Sequence, residues 1–233
     1  MNKETAYRIF SLGDSAITID FGNIINESIN KKIISLFHYL KNQPIGGMIE
    51  AVPAYSSLSV YYDPLEIKKK YPLYSAFDSM KKKLEEIVRT GIPDNPEEPT
   101  VHIKIPVCYD GDDLEFIASE KRISVEEIIK IHSSATYRVY MLGFLPGFAY
   151  MGEVDERIAI QRKQQPGSNI AAGSVGIAGK QTGIYPLQSP GGWQIIGRTP
   201  MRLFNTEKEP PTLLEAGNTV EFYSITKDEF KDY

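Results

Sequence analysis

MLGFLPGFAYM, Met141–Met151, followed by AAGSVGIAGKQTGIYPLQSPGGWQIIGRTP, Ala171–Pro200, is the stretch on which the fold turns. Eleven of the chain's 18 glycines fall between Gly143 and Gly197, and from Gln164 to Gly197 the only formal charge is Lys180. So many glycines and prolines among aromatics exclude a helix and are too patterned for a linker. The stretch reads instead as short strands and tight turns that present backbone and neutral side chains.

Working outward, short β-rich pieces separated by glycine surround it: Tyr137–Met141, Ser174–Ala178, Trp193–Ile196, Met201–Phe204 and Val220–Ser224. That punctuation predicts a barrel or folded sheet rather than alternating βα units. Upstream, Val101, Ile103 and Ile105 alternate with His102 and Lys104 as in a half-buried strand. Short helices are expected at Asp113–Ser119 and from Ser124, with Glu127 three residues on, to about His132.

Before Gly91 the pattern is different. Ala16–Phe21 and Val60–Tyr62 read as strands, and Ile29, Ile33, Ile34, Phe37 and Leu40 form a helical stripe. Asp63-Pro64 opens a further helix, and Ser75 with Asp78 opens the next, whose apolar face is Phe77, Met80, Leu84, Ile87 and Val88. Gly91 supplies its stop. GIPDNPEEPT, Gly91–Thr100, has three prolines and almost no apolar content, as a stiff linker would. The expected organisation is a small α+β domain over residues 1–90, a Pro-rich acidic linker over 91–99, and a mainly β domain over 100–233.

The chain has 233 residues, 42% of them apolar and 24% charged, with a net charge of −4. That balance argues against nucleic-acid binding, and the lysine runs 68–70 and 81–83 read as solvated helix faces. A single cysteine excludes an intramolecular disulfide and a thiolate metal cluster, and three histidines give no support to a metal site. There is neither a signal-peptide pattern nor an apolar run long enough for membrane insertion, so the expected location is the cytoplasm.

GSVGIAGKQTG, Gly173–Gly183, invites comparison with a nucleotide loop. Gln181 follows Gly179-Lys180 where a P-loop needs Ser or Thr, and the glycine spacing fails the dinucleotide fingerprint. The polar groups of Lys180, Gln181, Thr182, Tyr185 and Gln188 suit recognition of an amide or small carboxylate. Arg138, the only formal charge between Lys130 and Glu153, suits bidentate carboxylate recognition or a structural ion pair. His132 near a helix end either caps it or moves protons. Phe144, Phe148, Tyr150, Tyr185 and Trp193, interleaved with Pro146, Pro186 and Pro190, form a core with an exposed minority fit for a protein interface.

IHSSATYRVYMLGFLPGFAYM, the Ala171–Pro200 stretch and PPTLLEAGNTVEFY together resemble the B-subunit family of the 5-oxoprolinases, also described as kinase A inhibitor-like or allophanate hydrolase subunit 1. The resemblance covers nearly the whole chain and extends to the carboxyltransferase C/D module of urea amidolyases. It implies an α+β N-terminal domain followed by a mainly β, cyclophilin-like barrel, without implying prolyl isomerase activity. It also implies subunits C and A as partners in ATP-dependent opening of 5-oxoproline to glutamate, with ATP used by the assembled complex and no cofactor bound to this chain alone. Two alternatives stand beside it: a regulatory inhibitor with a sensor histidine kinase as partner, the role of a homologous protein in sporulating bacteria, and a subunit of an allophanate or related amide hydrolase.

Carried onto this sequence, the resemblance implies catalytic roles for His132 and Arg138. It implies a substrate or partner surface of Phe144, Pro146, Phe148, Lys180, Gln181, Thr182, Tyr185, Trp193 and Arg198. Two departures stand out: Pro166-Gly167 and Ile170-Ala171 occupy the places of the family's Pro-Arg and Val-Pro.

Overall fold

The computed structural model describes residues 7–90 and 101–233, so Gly91 and the expected linker lie outside the described residues. The chain divides into two compact units, Met1–Pro99 and Thr100–Tyr233.

In the first unit, strands β1 (Arg8–Ser11), β2 (Ala16–Asp20), β3 (Met48–Pro53) and β4 (Ser57–Tyr62) form an antiparallel sheet in the order β1-β2-β4-β3. Helices α1 (Glu27–Asn42), α2 (Pro64–Lys70) and α3 (Ala76–Thr90) complete it. Each starts where the sequence offers a cap. Asn26 Oδ1 accepts from Ile29 N at 3.0 Å, Asp63 Oδ1 from Leu65 N at 2.8 Å, and Ser75 Oγ from Asp78 N at 3.0 Å. Ile17, Ile19, Leu58 and Val60 from the strands meet Ile33, Leu36 and Leu40 of α1 and Met80 and Leu84 of α3 in one buried core. Strands β1 and β3 lie at the two edges and are largely exposed, which is why hydrophobic alternation does not announce them.

The second unit begins with β5 (His102–Val107), α4 (Leu114–Lys121), α5 (Val125–Ser133), β6 (Thr136–Leu142) and β7 (Ala149–Gly152). After these come β8 (Gly167–Ile170), β9 (Ser174–Ala178), β10 (Gln181–Ile184), β11 (Ser189–Gly191), β12 (Gln194–Arg198), β13 (Thr219–Ser224) and α6 (Lys227–Lys231). Seven strands form a sheet in the order β12-β9-β10-β7-β6-β13-β5, with β13 and β5 parallel and the other neighbours antiparallel. Just beyond β5, Cys108 exchanges two backbone hydrogen bonds of 2.9 Å with Arg198 at the end of β12. That contact nearly closes the sheet into a barrel around Ile105, Val139, Met151, Val175, Ile177, Ile196 and Phe222. Strands β8 and β11 form a separate two-stranded ribbon.

Two sequence expectations need correction. Met201–Phe204 is not a strand; only the isolated bridge between Phe204 and Thr212 occurs there. Pro200 has no amide hydrogen, Met201 N donates to Thr199 Oγ1 at 3.2 Å and Arg202 Nε donates to Phe204 O at 3.0 Å, so the backbone is satisfied locally. Conversely, Gln181–Ile184, whose polar groups suggest a recognition loop, is strand β10 in the middle of the sheet. With β9 it makes a hairpin that turns at Gly179, whose φ is +62°.

Candidate functional site

The barrel interior holds one polar chain. His132, at the end of α5, is fully buried, its ring stacked on Phe222 with centroids 4.7 Å apart and lying 5.2 Å from the Tyr137 ring. Thr182 Oγ1 donates its single hydrogen to Gly176 O at 3.0 Å, so it accepts from His132 Nε2 at 2.9 Å. His132 Nδ1 is then the acceptor for Tyr109 OH at 2.8 Å. Every member has a partner, and the imidazole is neutral with its hydrogen on Nε2. Burial away from water holds its pKa down at about 3. The same cause pushes the Tyr109 and Tyr137 hydroxyls above the usual phenol range, and Tyr137 OH has no hydrogen-bond partner among the described residues.

This geometry revises two sequence readings. His132 does not cap its helix; it ties α5 to β10 from inside the barrel. Thr182, expected at a recognition surface, is buried with it, because alternation along β10 sends Thr182 and Ile184 inward and Gln181 and Gly183 outward. Arg138 lies between Tyr137 and Val139, which both face the core, so its side chain leaves the opposite face. The two candidate catalytic residues are therefore on opposite faces of the sheet.

On the outer face, Arg138, Gly152 and Gln181 are in register across β6, β7 and β10. Neighbouring strands are ~4.8 Å apart, so the backbones of Arg138 and Gln181 stand about 10 Å apart across a position with no side chain. Arg138 Nη1 donates to Gly217 O at 3.4 Å. Tyr140 OH donates to Glu153 Oε1 at 3.3 Å beside this row. The row thus sets a guanidinium and an amide on either side of Gly152, which is itself buried, with the Glu153 carboxylate next in the chain, and a guanidinium with an amide suits a small molecule carrying both an amide and a carboxylate. Sequence reasoning missed Glu153, which had no motif to mark it.

One step along the sheet the outer face is aromatic. Gly183 and Gly176 pair across β10 and β9, and Trp193 occupies the space they leave, its ring beside Gly183 and its Cβ beside Gly176. A Cβ on Gly183 would stand 2.9 Å from Trp193 Cζ3 and 2.9 Å from Ala149 O. Phe148, Tyr185 and Trp193 pack edge to face with centroids 5.1 and 5.4 Å from Phe148. These three, which the residue pattern puts in a core and the resemblance at a substrate or partner surface, are buried, whereas Phe144 is 64% exposed with φ of +71° and Pro146 is exposed beside it. Lys180, in the hairpin turn, forms an ion pair with Glu156. Arg198 lies at the barrel seam, where Nε donates to Ala172 O at 2.9 Å and the guanidinium carbon sits 5.6 Å from the Phe230 ring centroid. Among the described residues no group of three His, Cys, Asp or Glu could hold a metal ion, and no helix is long and apolar enough to cross a membrane.

A barrel-like sheet carrying this motif belongs to a known class. The family described as carboxyltransferase domain, subdomain C and D, matches residues 7–214, and the chain belongs to that family. Within it, the chain is 46% identical to the 5-oxoprolinase B subunit of Bacillus subtilis (strain 168) over 97% of its own length and 96% of that protein's. A crystal structure of TTHA0988 matches with a TM-score of 0.77 at 33% identity, over 91% of this chain and 40% of that one. The urea amidolyase of Kluyveromyces lactis matches all of this chain with 16% of its own, at a TM-score of 0.74 and 20% identity, a likeness of fold.

Proposed function

We propose that this chain is the B subunit of an ATP-dependent 5-oxoprolinase, acting with subunits A and C to open 5-oxoproline to L-glutamate and inactive alone. The observation that carries the reading is the 46% identity to a 5-oxoprolinase B subunit along nearly the whole of both chains. We read the nearly closed sheet as a cyclophilin-like barrel used as a rigid platform, not as an isomerase.

Opening the lactam breaks an amide bond, and phosphorylation of the amide oxygen by ATP makes the carbonyl carbon open to water. Water adds at that carbon, the C–N bond breaks with a proton passing to nitrogen, and a second water releases phosphate. On this chain Arg138 holds the substrate carboxylate and Gln181 hydrogen-bonds the lactam across Gly152, fixing the ring for attack. His132 and Thr182 support that row from the other side of the sheet. ATP is a co-substrate of the assembled complex: the glycine-rich stretch is a β-hairpin without the following helix at which phosphates are commonly held. The exposed Phe144-Pro146 turn is the surface we assign to contact with another protein of the complex.

The test is reconstitution. Purified subunits A and C with this chain release glutamate and ADP from 5-oxoproline and ATP, and omission of this chain abolishes release. Arg138→Gln lowers kcat/KM for 5-oxoproline about tenfold to a hundredfold, the worth of a charged hydrogen bond. Glutamate release that is the same without this chain rejects the reading; urea and allophanate, run in parallel, identify a different amide substrate.

A further inference from the structure

The Thr100–Tyr233 unit carries a groove whose lining includes none of Arg138, Gly152 and Gln181. This open groove of about 690 Å³ has α4 and residues 159–164 among its walls, and its lining carries three cations, Lys121, Arg162 and Lys163, two carboxylates, Asp113 and Glu120, and the ring of Phe116. Its floor is held in place: buried Gln194 donates from Nε2 to Gln161 O at 3.1 Å, and Lys163 N donates to Gly192 O at 2.7 Å. Two of its cations are already engaged. Lys163 Nζ meets Asp113 Oδ2 at 2.7 Å, an oxygen that also accepts from Ile195 N at 2.6 Å, and Lys121 Nζ donates to Glu156 O at 3.4 Å.

Arg162 differs from Lys163 in having no carboxylate partner among the described residues and from Lys121 in lying against a ring. Its guanidinium carbon stands 5.8 Å from the Trp193 ring centroid, and no carboxylate among the described residues lies within ion-pair distance of it. A cation over a ring keeps its N–H donors unspent. Phe116, 47% exposed, adds an aromatic surface from α4, while Leu114 and Ile117 of the same helix are buried in the core. An unmatched cation and an exposed ring in one groove are complementary to a molecule that is anionic at one end and apolar at the other.

We propose that this groove binds a small carboxylate bearing an apolar group, with the carboxylate on Arg162 and the apolar part against Phe116. A bare anion leaves the Phe116 wall unused, and an uncharged ligand leaves the guanidinium unmatched. The site does not depend on the oxoprolinase reading and is tested without turnover.

Trp193 is the chain's only tryptophan and lies under Arg162, so its fluorescence reports the site directly. The full chain is titrated at constant pH and ionic strength with phenylacetate, phenylacetamide and inorganic phosphate. Phenylacetate gives a saturable change, the other two do not, Arg162→Gln weakens binding about tenfold, and Phe116→Ala weakens it severalfold. Amide chemical shifts of the unmutated protein supply a readout independent of variant folding, with phenylacetate moving signals of residues 116–121 and 161–164. Absence of saturation, equal responses to phenylacetamide or phosphate, shifts confined to other regions, or full binding by a folded Arg162→Gln protein overturns the proposal.

Discussion

At the scale of single residues, His132 shows how burial decides chemistry. A neutral imidazole held at a pKa of about 3 in the folded chain returns to about 6.5 on unfolding, so the unfolded state binds its proton first. The His132 contribution is fully present above about pH 6.5 and is lost as pH falls toward 3, at up to about 1.4 kcal/mol per pH unit. Urea unfolding of the wild type and of a folded His132→Gln variant checks this, because the difference between their pH slopes isolates this group from the carboxylates. Tyr137 makes the opposite point. Its hydroxyl is buried without a partner among the described residues, so Tyr137→Phe leaves stability unchanged or raises it by up to about 1 kcal/mol, read from Tm.

At the scale of elements, the β9–β10 hairpin matters most. Its glycines read from sequence as tight turns that fail the nucleotide-loop spacing, and the structure gives Gly176 and Gly183 a narrower task, making room for Trp193. Gly183→Ala drives a methyl group into both the Trp193 ring and Ala149 O, at a cost of about 1–3 kcal/mol. Denaturant unfolding measures the loss, and displacement of Trp193 shifts the emission of the only tryptophan. Helix starts are legible because a cap is a local event: Asn26, Asp63, Ser75, Ser124 and Thr226 all accept from the first turn. Of these, only Asp63, Ser75 and Ser124 stand out in the sequence reading. Edge strands β1 and β3 are not legible, since a strand largely exposed on a mixed surface has no clean period.

At the scale of the whole molecule, each unit has its own buried core, around Ile17, Leu36 and Leu84 in one and around Val139, Ile177 and Phe222 in the other. Residues 101–233 expressed alone therefore fold, with a single cooperative unfolding transition seen by Trp193 fluorescence. A fragment lacking cooperative unfolding shows instead that the second core depends on the rest of the chain. Closure of its sheet rests on the Cys108–Arg198 backbone pair, a contact between residues 90 positions apart in the chain that no local pattern encodes.

The sequence by itself determined the helix starts, most of the central strands and the motif that identifies the family, because caps, periodicity and ordered motifs are properties of neighbouring residues. Only the tertiary structure decided which side of the sheet each candidate residue serves. Strand alternation states that Arg138 and Tyr137 face opposite ways, but burial alone says which way is in. The same burial turned His132 from an expected catalytic residue and Thr182 from an expected surface residue into an internal tie, sank Phe148, Tyr185 and Trp193 beneath the surface, and left Arg138 and Gln181 on the outer face on either side of Gly152.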